Sequence, residues 1–232
     1  MPIRLLCCSD THDRLPPTLP ENGATAWLHA GDVYDLPSFT KAPPGLSDND
    51  HPDVDAWARR RPVPVYTVRG NHDYADPYDF FIPERNISGR VVRLAEHLLL
   101  AGVGFAYSRT LIPPLDSELE EVCVRVQRHL AQEQRPGDRV VILSHYPMRR
   151  QGLFPEKSWE RLTSLCFQSV TGLVEAVRPV LVIQGHLHEW HGLTAKLKIK
   201  KSTRSALVAM PGPKGMIIEV RGDRAEVVDG SP

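Results

Sequence analysis

Histidine and aspartate gather in short clusters along this chain of 232 residues. In order they read Asp10-x-His12, Gly31-Asp32-x-x-Asp35, Gly70-Asn71-His72-Asp73, His145 and Gly185-His186-x-His188. Imidazole mixed with carboxylate suits borderline divalent ions such as Mn, Fe or Zn, whereas Mg and Ca prefer sites with fewer histidines. None of the clusters contains a cysteine, which argues against a structural zinc site. One ion could not use so many ligands. Two could, if a carboxylate bridges them at a separation of about 3.5–4 Å. Such a pair clamps the attacking and leaving oxygens of an in-line displacement. It also lowers the pKa of bound water, so that a nucleophile exists at neutral pH. That is the chemistry of phosphoester hydrolysis.

Each cluster closes an apolar run. Ile3 to Ser9, Ala24 to Ala30, Val63 to Val68, Val140 to Leu143 and Val180 to Ile183 read as buried strands, each ending on a polar group. Helical patterns lie between several of them. Asp53 to Arg61 is short and stopped by Pro62. Asp116 to Gln134 is apolar at Leu119, Val122, Val126 and Leu130. Ser158 to Val177 has Ser158 as its N-cap and Pro179 as its stop. Strands alternating with helices give parallel βαβ units, and in such sheets ligands sit beyond the carboxyl ends of the strands. Arg90 to Leu94 and Leu98 to Phe105 read as a strand pair. From His191 onward come short strand-like runs, the last two joined at Gly222-Asp223 by a hairpin turn.

The ordered set of clusters resembles the signature D-x-H…G-D-x-x-D…G-N-H-[DE]…H…G-H-x-H of the calcineurin-like metallophosphoesterase superfamily. The resemblance implies an α/β fold, a four-layer α/β/β/α sandwich of two mixed sheets, built as one domain over residues 1–232 without a large cap. It implies that Asp10, His12 and His188 hold the first metal ion, that Asp32 bridges, and that Asn71, His145 and His186 hold the second. Manganese is the first choice, with iron or zinc as alternatives. His72 would stabilise developing charge and protonate the leaving oxygen, and Asp35 would orient His72. The sequence departs from the family in places. Leu36 stands where the protein phosphatases carry an arginine, which disfavours a protein serine/threonine phosphatase. Leu187 fills the x of G-H-x-H, and the usual Asn-Pro-Gly is Met210-Pro-Gly212.

Other residues fit the same chemistry less tightly. Arg149 and Arg150 follow His145 closely and could grip a phosphate. Tyr74, with Tyr78, Phe80 and Phe81, could stack on a leaving group. Backbone N–H groups at Gly31 and Gly70-Asn71 could receive substrate oxyanions. Asp73 reads as structural. His29, His51, His97, His129 and His191 lie outside the motifs.

Lys196, Lys198, Lys200, Lys201 and Arg204 form a basic stretch, read as an edge strand kept soluble by lysine rather than as a nucleic-acid patch. A nuclease acting on DNA or RNA ends is therefore the second reading. A non-catalytic scaffold of the same fold comes last, because every ligand position is filled. Lys plus Arg is 28 and Asp plus Glu is 28, so bulk charge draws the chain to neither nucleic acid nor anionic lipid. No apolar run approaches the roughly 18 residues of a membrane span. The first ten residues reach charge too soon for a signal peptide, which gives a cytoplasmic expectation and four buried free thiols. The expected partner is a phosphoester substrate. The sequence fixes neither its identity nor the oligomeric state.

Overall fold

Strand residues point alternately to opposite faces, so a strand that is apolar throughout must be covered twice. The first strand is of that kind. In the computed structural model, which describes residues 2–12, 14–34, 54–73, 85–107, 112–154, 162–199 and 205–229, β1 is Ile3–Cys8. Leu5 and Cys7 enter one hydrophobic cluster, Leu6 and Cys8 another. All four cysteines are buried and free.

Two mixed sheets carry the fold. The first pairs β1 with β2 (Ala24–His29) and β2 with β3 (Val65–Thr67), both parallel. On the other side of β1 lie β10 (Met216–Arg221) and then β11 (Arg224–Asp229), both antiparallel. The second sheet joins β4 (Val91–Ala95), β5 (Leu98–Val103), β6 (Arg139–Ser144), β7 (Leu181–Gln184), β9 (Ser205–Met210) and β8 (Leu193–Lys198), in that spatial order. Its interior strands β5, β6, β7 and β9 are parallel, and its outer pairs are antiparallel.

Three apolar clusters fill the gaps between layers. The inner one takes Leu5, Cys7, Leu28 and Ile218 from the first sheet and Leu100, Val141, Leu143 and Ile183 from the second. Leu6, Trp27 and Val65 on the outer face of the first sheet pack with Val54 and Trp57 of α1 (Val54–Arg59). On the outer face of the second sheet, Leu99, Val140, Ile142 and Val182 meet two helices. These are α2 (Asp116–Glu133), through Leu119, Val122, Val126 and Leu130, and α3 (Gln168–Val177), through Val170, Leu173 and Val174. The order is helix, sheet, sheet, helices: the four-layer α/β/β/α sandwich.

Local chemistry sets the ends. Glu118 accepts the Leu115 N–H at 2.8 Å and caps α2. Arg178 takes a left-handed conformation after α3, and Pro179 then prevents continuation. The helix expected over Ser158 to Val177 is interrupted: Thr163–Leu165 forms a 3-10 turn, and α3 starts only at Gln168; Ser158 itself lies outside the described residues. Cys166 and Phe167 are extended, and Phe167 bridges to Met148 and is buried against Tyr146. That anchor holds the chain in strand geometry until Gln168. Strand β8 is an edge, with Lys196 and Lys198 exposed and Leu197 buried between them. Exposed lysines on an edge discourage pairing with another sheet. Among the described residues no helix is long and apolar enough to cross a membrane.

His29, at the end of β2, is buried. Its Nε2 meets Thr11 Oγ1 at 3.0 Å, and its Nδ1 has no hydrogen-bond partner. Burial lowers its pKa to about 3. A histidine depressed in the folded state contributes stability that is complete above the unfolded pKa near 6.5 and is lost as pH falls. The metal-free protein should therefore lose about 1.4 kcal/mol per pH unit for this group as pH drops from 6.5. Denaturant titrations between pH 6.5 and 5 should show His29→Asn with a slope shallower by that amount. An unchanged slope would place the ring in water.

Candidate metal centre

The cluster-bearing ends of β1, β2, β3, β6 and β7 meet at one rim, three from the first sheet and two from the second. The loops there are bent sharply. Among the described residues, positive φ outside glycine occurs at Asp10 (53°), His12 (45°), Asp32 (53°), His186 (72°) and the helix-capping Arg178. Each such residue costs on the order of 1–3 kcal/mol, and strain of this kind concentrates at functional sites. The bends turn side chains from separate strands toward one another.

The floor of the site is dry. His145 is fully buried, and its Nδ1 lies 2.9 Å from Ala30 O. A carbonyl only accepts, so Nδ1 carries the hydrogen. Burial brings the His145 pKa down to about 4, so the ring is neutral and Nε2 holds a lone pair. That lone pair faces Asn71 Oδ1 at 3.1 Å and Asp32 Oδ2 at 3.4 Å. Three lone-pair donors thus converge with no proton among them, an arrangement that fits a cation. Beside them the buried Nε2 of His186 has no hydrogen-bond partner. Burial and the neighbouring His145 lower its pKa to about 3.

Donor atoms fall into overlapping groups, each within 4.8 Å: Asp32, His145 and His186; His12, Asp32 and His72; and Asp10, His188 and His191. Asp32 belongs to two of them. His12 Nε2 and His188 Nε2 are 3.3 Å apart, which joins the second group to the third. Burial pushes the Asp10 carboxyl up, but the bond from His191 and the nearby His145 outweigh it and leave Asp10 below the ordinary carboxylate range. The His72 ring stands edge-on to His12 at 4.7 Å, and the His72 N–H donates to Asp32 Oδ1 at 2.9 Å. His188 is exposed at the rim. Asp10, His12, Asp32, Asn71, His72, His145, His186 and His188 are therefore gathered together, and the donor set suits borderline divalent ions.

Other candidates are placed differently. Arg150 pairs with Glu175 of α3 at 3.2 Å, and Arg149 Nε donates to Cys166 O at 3.1 Å, which ties both arginines to the α3 side. Asp35, Tyr74, Tyr78, Phe80 and Phe81 lie outside the described residues. The Gly70 N–H does not face a substrate oxyanion: it donates to Asp73 Oδ2 at 2.7 Å. Glycine is needed there for space, because a Cβ would overlap Asp32 Oδ1 and lie 2.7 Å from His145 Cε1.

Asp73, read from the sequence as structural, holds the loops of the site together. It is fully buried and accepts N–H bonds from Asp32, Val33 and Tyr34 as well as Gly70, at 2.7 to 3.0 Å. Burial pushes its carboxyl up to about 7, although the four donors pull against it. One carboxylate thus clasps the loops after β2 and β3 and fixes Asp32 against Asn71. Asp73→Asn turns an amide N–H toward backbone donors. It should cost about 1.5–3 kcal/mol in denaturant unfolding, the scale of hydrogen bonds to a charge. A loss below about 0.5 kcal/mol, the scale of an ordinary surface change, would mean that the clasp is dispensable.

The family model for calcineurin-like phosphoesterases matches residues 3–190. No curated protein matches the chain. Among solved structures, TT1561 of Thermus thermophilus aligns at TM-score 0.62 and 15% identity over 99% of both chains, a likeness of fold. The phosphopantetheinyl hydrolase from Mycobacterium tuberculosis aligns at 0.49 and 16% over 89% of each chain. A conserved predicted phosphoesterase from Streptococcus pneumoniae aligns at 0.40 and 11%, over 99% of this chain and 98% of that one. The family match spans every cluster from Asp10 to His188, and the chain belongs to the calcineurin-like phosphoesterases.

Proposed function

We propose that the protein hydrolyses phosphoesters with two divalent cations, manganese first, with iron or zinc as alternatives. The observation that carries this reading is Asp32, shared by two donor groups, with unprotonated lone pairs of His145 and Asn71 turned to it. Asp10, His12, Asp32 and His188 would hold the first ion; Asp32, Asn71, His145 and His186 would hold the second. When bound, the ions supply Lewis acidity toward phosphoryl oxygens and lower the pKa of water.

The chain's own residues supply the rest. His72, held through its backbone N–H to Asp32 and set against His12, can keep a proton on its ring and pass it to the leaving oxygen. Asp35 would orient that ring. The half-exposed rim at His188 leaves room for a diester or a bulky monoester.

The test is hydrolysis of aryl mono- and diesters by chain stripped with a chelator and reloaded with manganese. Activity should vanish on stripping and return on reloading. His72→Asn should lower kcat by about 10²–10⁴-fold, the usual contribution of a positioned acid, while still binding two manganese ions per chain. Hydrolysis that survives the chelator would overturn the metal reading. Full activity in His72→Asn would overturn the acid role, and loss of one ion would make His72 a ligand.

A further inference from the structure

His191 stands outside the motif set, yet it touches one of its left-handed members, Asp10. Asp10 is buried and left-handed, with both carboxylate oxygens engaged. Oδ1 accepts the His186 N–H at 2.9 Å, and Oδ2 lies 3.1 Å from His191 Nε2. The bond to His191 crosses 181 positions of sequence and joins the end of β1 to the segment after β7. The His191 ring is only 20% exposed. It rests on Gly212, where an added Cβ would lie 2.6 Å from its Cγ and 2.9 Å from its Nδ1. Gly212 O in turn accepts the N–H of Ser9, the residue before Asp10, at 3.1 Å. The 3-10 turn His188–Trp190 sets the spacing, and the His191 N–H closes onto His188 O at 3.2 Å. One imidazole is thus wedged between the turn after β9 and the Asp10 carboxylate.

We infer that His191 is a positioning residue for the first cation: its Nε2–H holds Asp10 Oδ2 and so aims the carboxylate into the site. The inference rests on the two-cation reading above. His191 does not itself serve as a ligand, because Nε2 is used as a donor to Asp10 and Nδ1 is packed on Gly212. A donor to a buried carboxylate fixes its orientation without competing for the ion. Outer partners of this kind typically govern metal affinity by 10–100-fold.

The test is manganese binding to stripped chain by equilibrium dialysis and calorimetry, with the visible spectrum of the cobalt-substituted protein as a second readout. Wild type should bind two ions. His191→Ala should weaken one site by about 10–100-fold and spare the other. His191→Gln keeps an N–H donor and should recover most of the affinity. Gly212→Ala displaces the ring without removing it and should weaken the same site. Cobalt bands at saturation should keep their positions in His191→Ala, since the ligand set is intact.

Wild-type affinity in His191→Ala, or no recovery in His191→Gln, would overturn the positioning role. Shifted cobalt bands would make His191 a ligand and overturn it equally. Wild-type chain that binds no manganese would instead remove the underlying two-cation reading.

Discussion

The lone pair of His145 Nε2 points at two oxygens, Asn71 Oδ1 and Asp32 Oδ2, across 3.1 and 3.4 Å of dry interior. The ring's one hydrogen is given to Ala30 O, so Nε2 carries none. Confronted acceptors in a buried site repel one another, and the repulsion is larger in a low dielectric than in water. A folded chain tolerates this only where the surrounding structure forces it. Here the forcing comes from both sheets. Asp32 and Asn71 hang from the ends of β2 and β3, and His145 from the end of β6 in the facing sheet. The apolar layer between the sheets, with Leu28, Val68, Val141 and Leu143 all buried, sets their separation. Close-packed interiors do not deform smoothly, so the donor atoms are held rather than merely near.

Strain and its compensation follow from that arrangement. Asp10, His12, Asp32 and His186 adopt backbone conformations that side chains with a Cβ disfavour. Each is then tied from another loop. Asp73 takes the N–H of Asp32, Asp10 takes the N–H of His186, and Asp32 takes both the N–H of His72 and the space left by Gly70. The carboxylates are therefore structural and chemical at once. Asp32 shows it most plainly: Oδ1 closes a loop through the His72 N–H, and Oδ2 faces His145.

Much of this was readable from the chain, for a physical reason. Strands buried on both faces are continuous apolar runs, and Ile3–Cys8, Ala24–His29 and Leu181–Gln184 announce themselves. The polar residues that end them stand out by contrast. Adjacent Cys7 and Cys8 divide between two clusters as period-two geometry requires. Less legible were effects that depend on contacts distant in sequence. Phe167 interrupts the helical periodicity by packing on Tyr146, which separates the 3-10 turn Thr163–Leu165 from α3. Asp73 sits beside the motif histidine in sequence, but its four donors come from two loops. Arg149 and Arg150 follow His145 closely, yet their contacts turn toward α3 because Glu175 and Cys166 O are there. His191 follows His188 by three residues, which hints at the rim, but only the fold brings it to Asp10.

Burial also decides how such a site competes with protons. Metal binding to an imidazole must displace a proton wherever the ring is protonated, and affinity falls accordingly. Desolvation lowers His145 to about 4 and His186 to about 3, so near neutrality both already present a bare lone pair. The floor around them is closed by Tyr146, whose ring lies 4.8 Å from His145 and 5.5 Å from His186. His188 stands exposed at the opposite end of the cluster, with His12 between. The centre is therefore graded, from a dry pocket preset for a cation to a wet rim where a substrate oxygen could enter. Asp32 lies where the two meet, which is where a carboxylate shared by two ions would have to be.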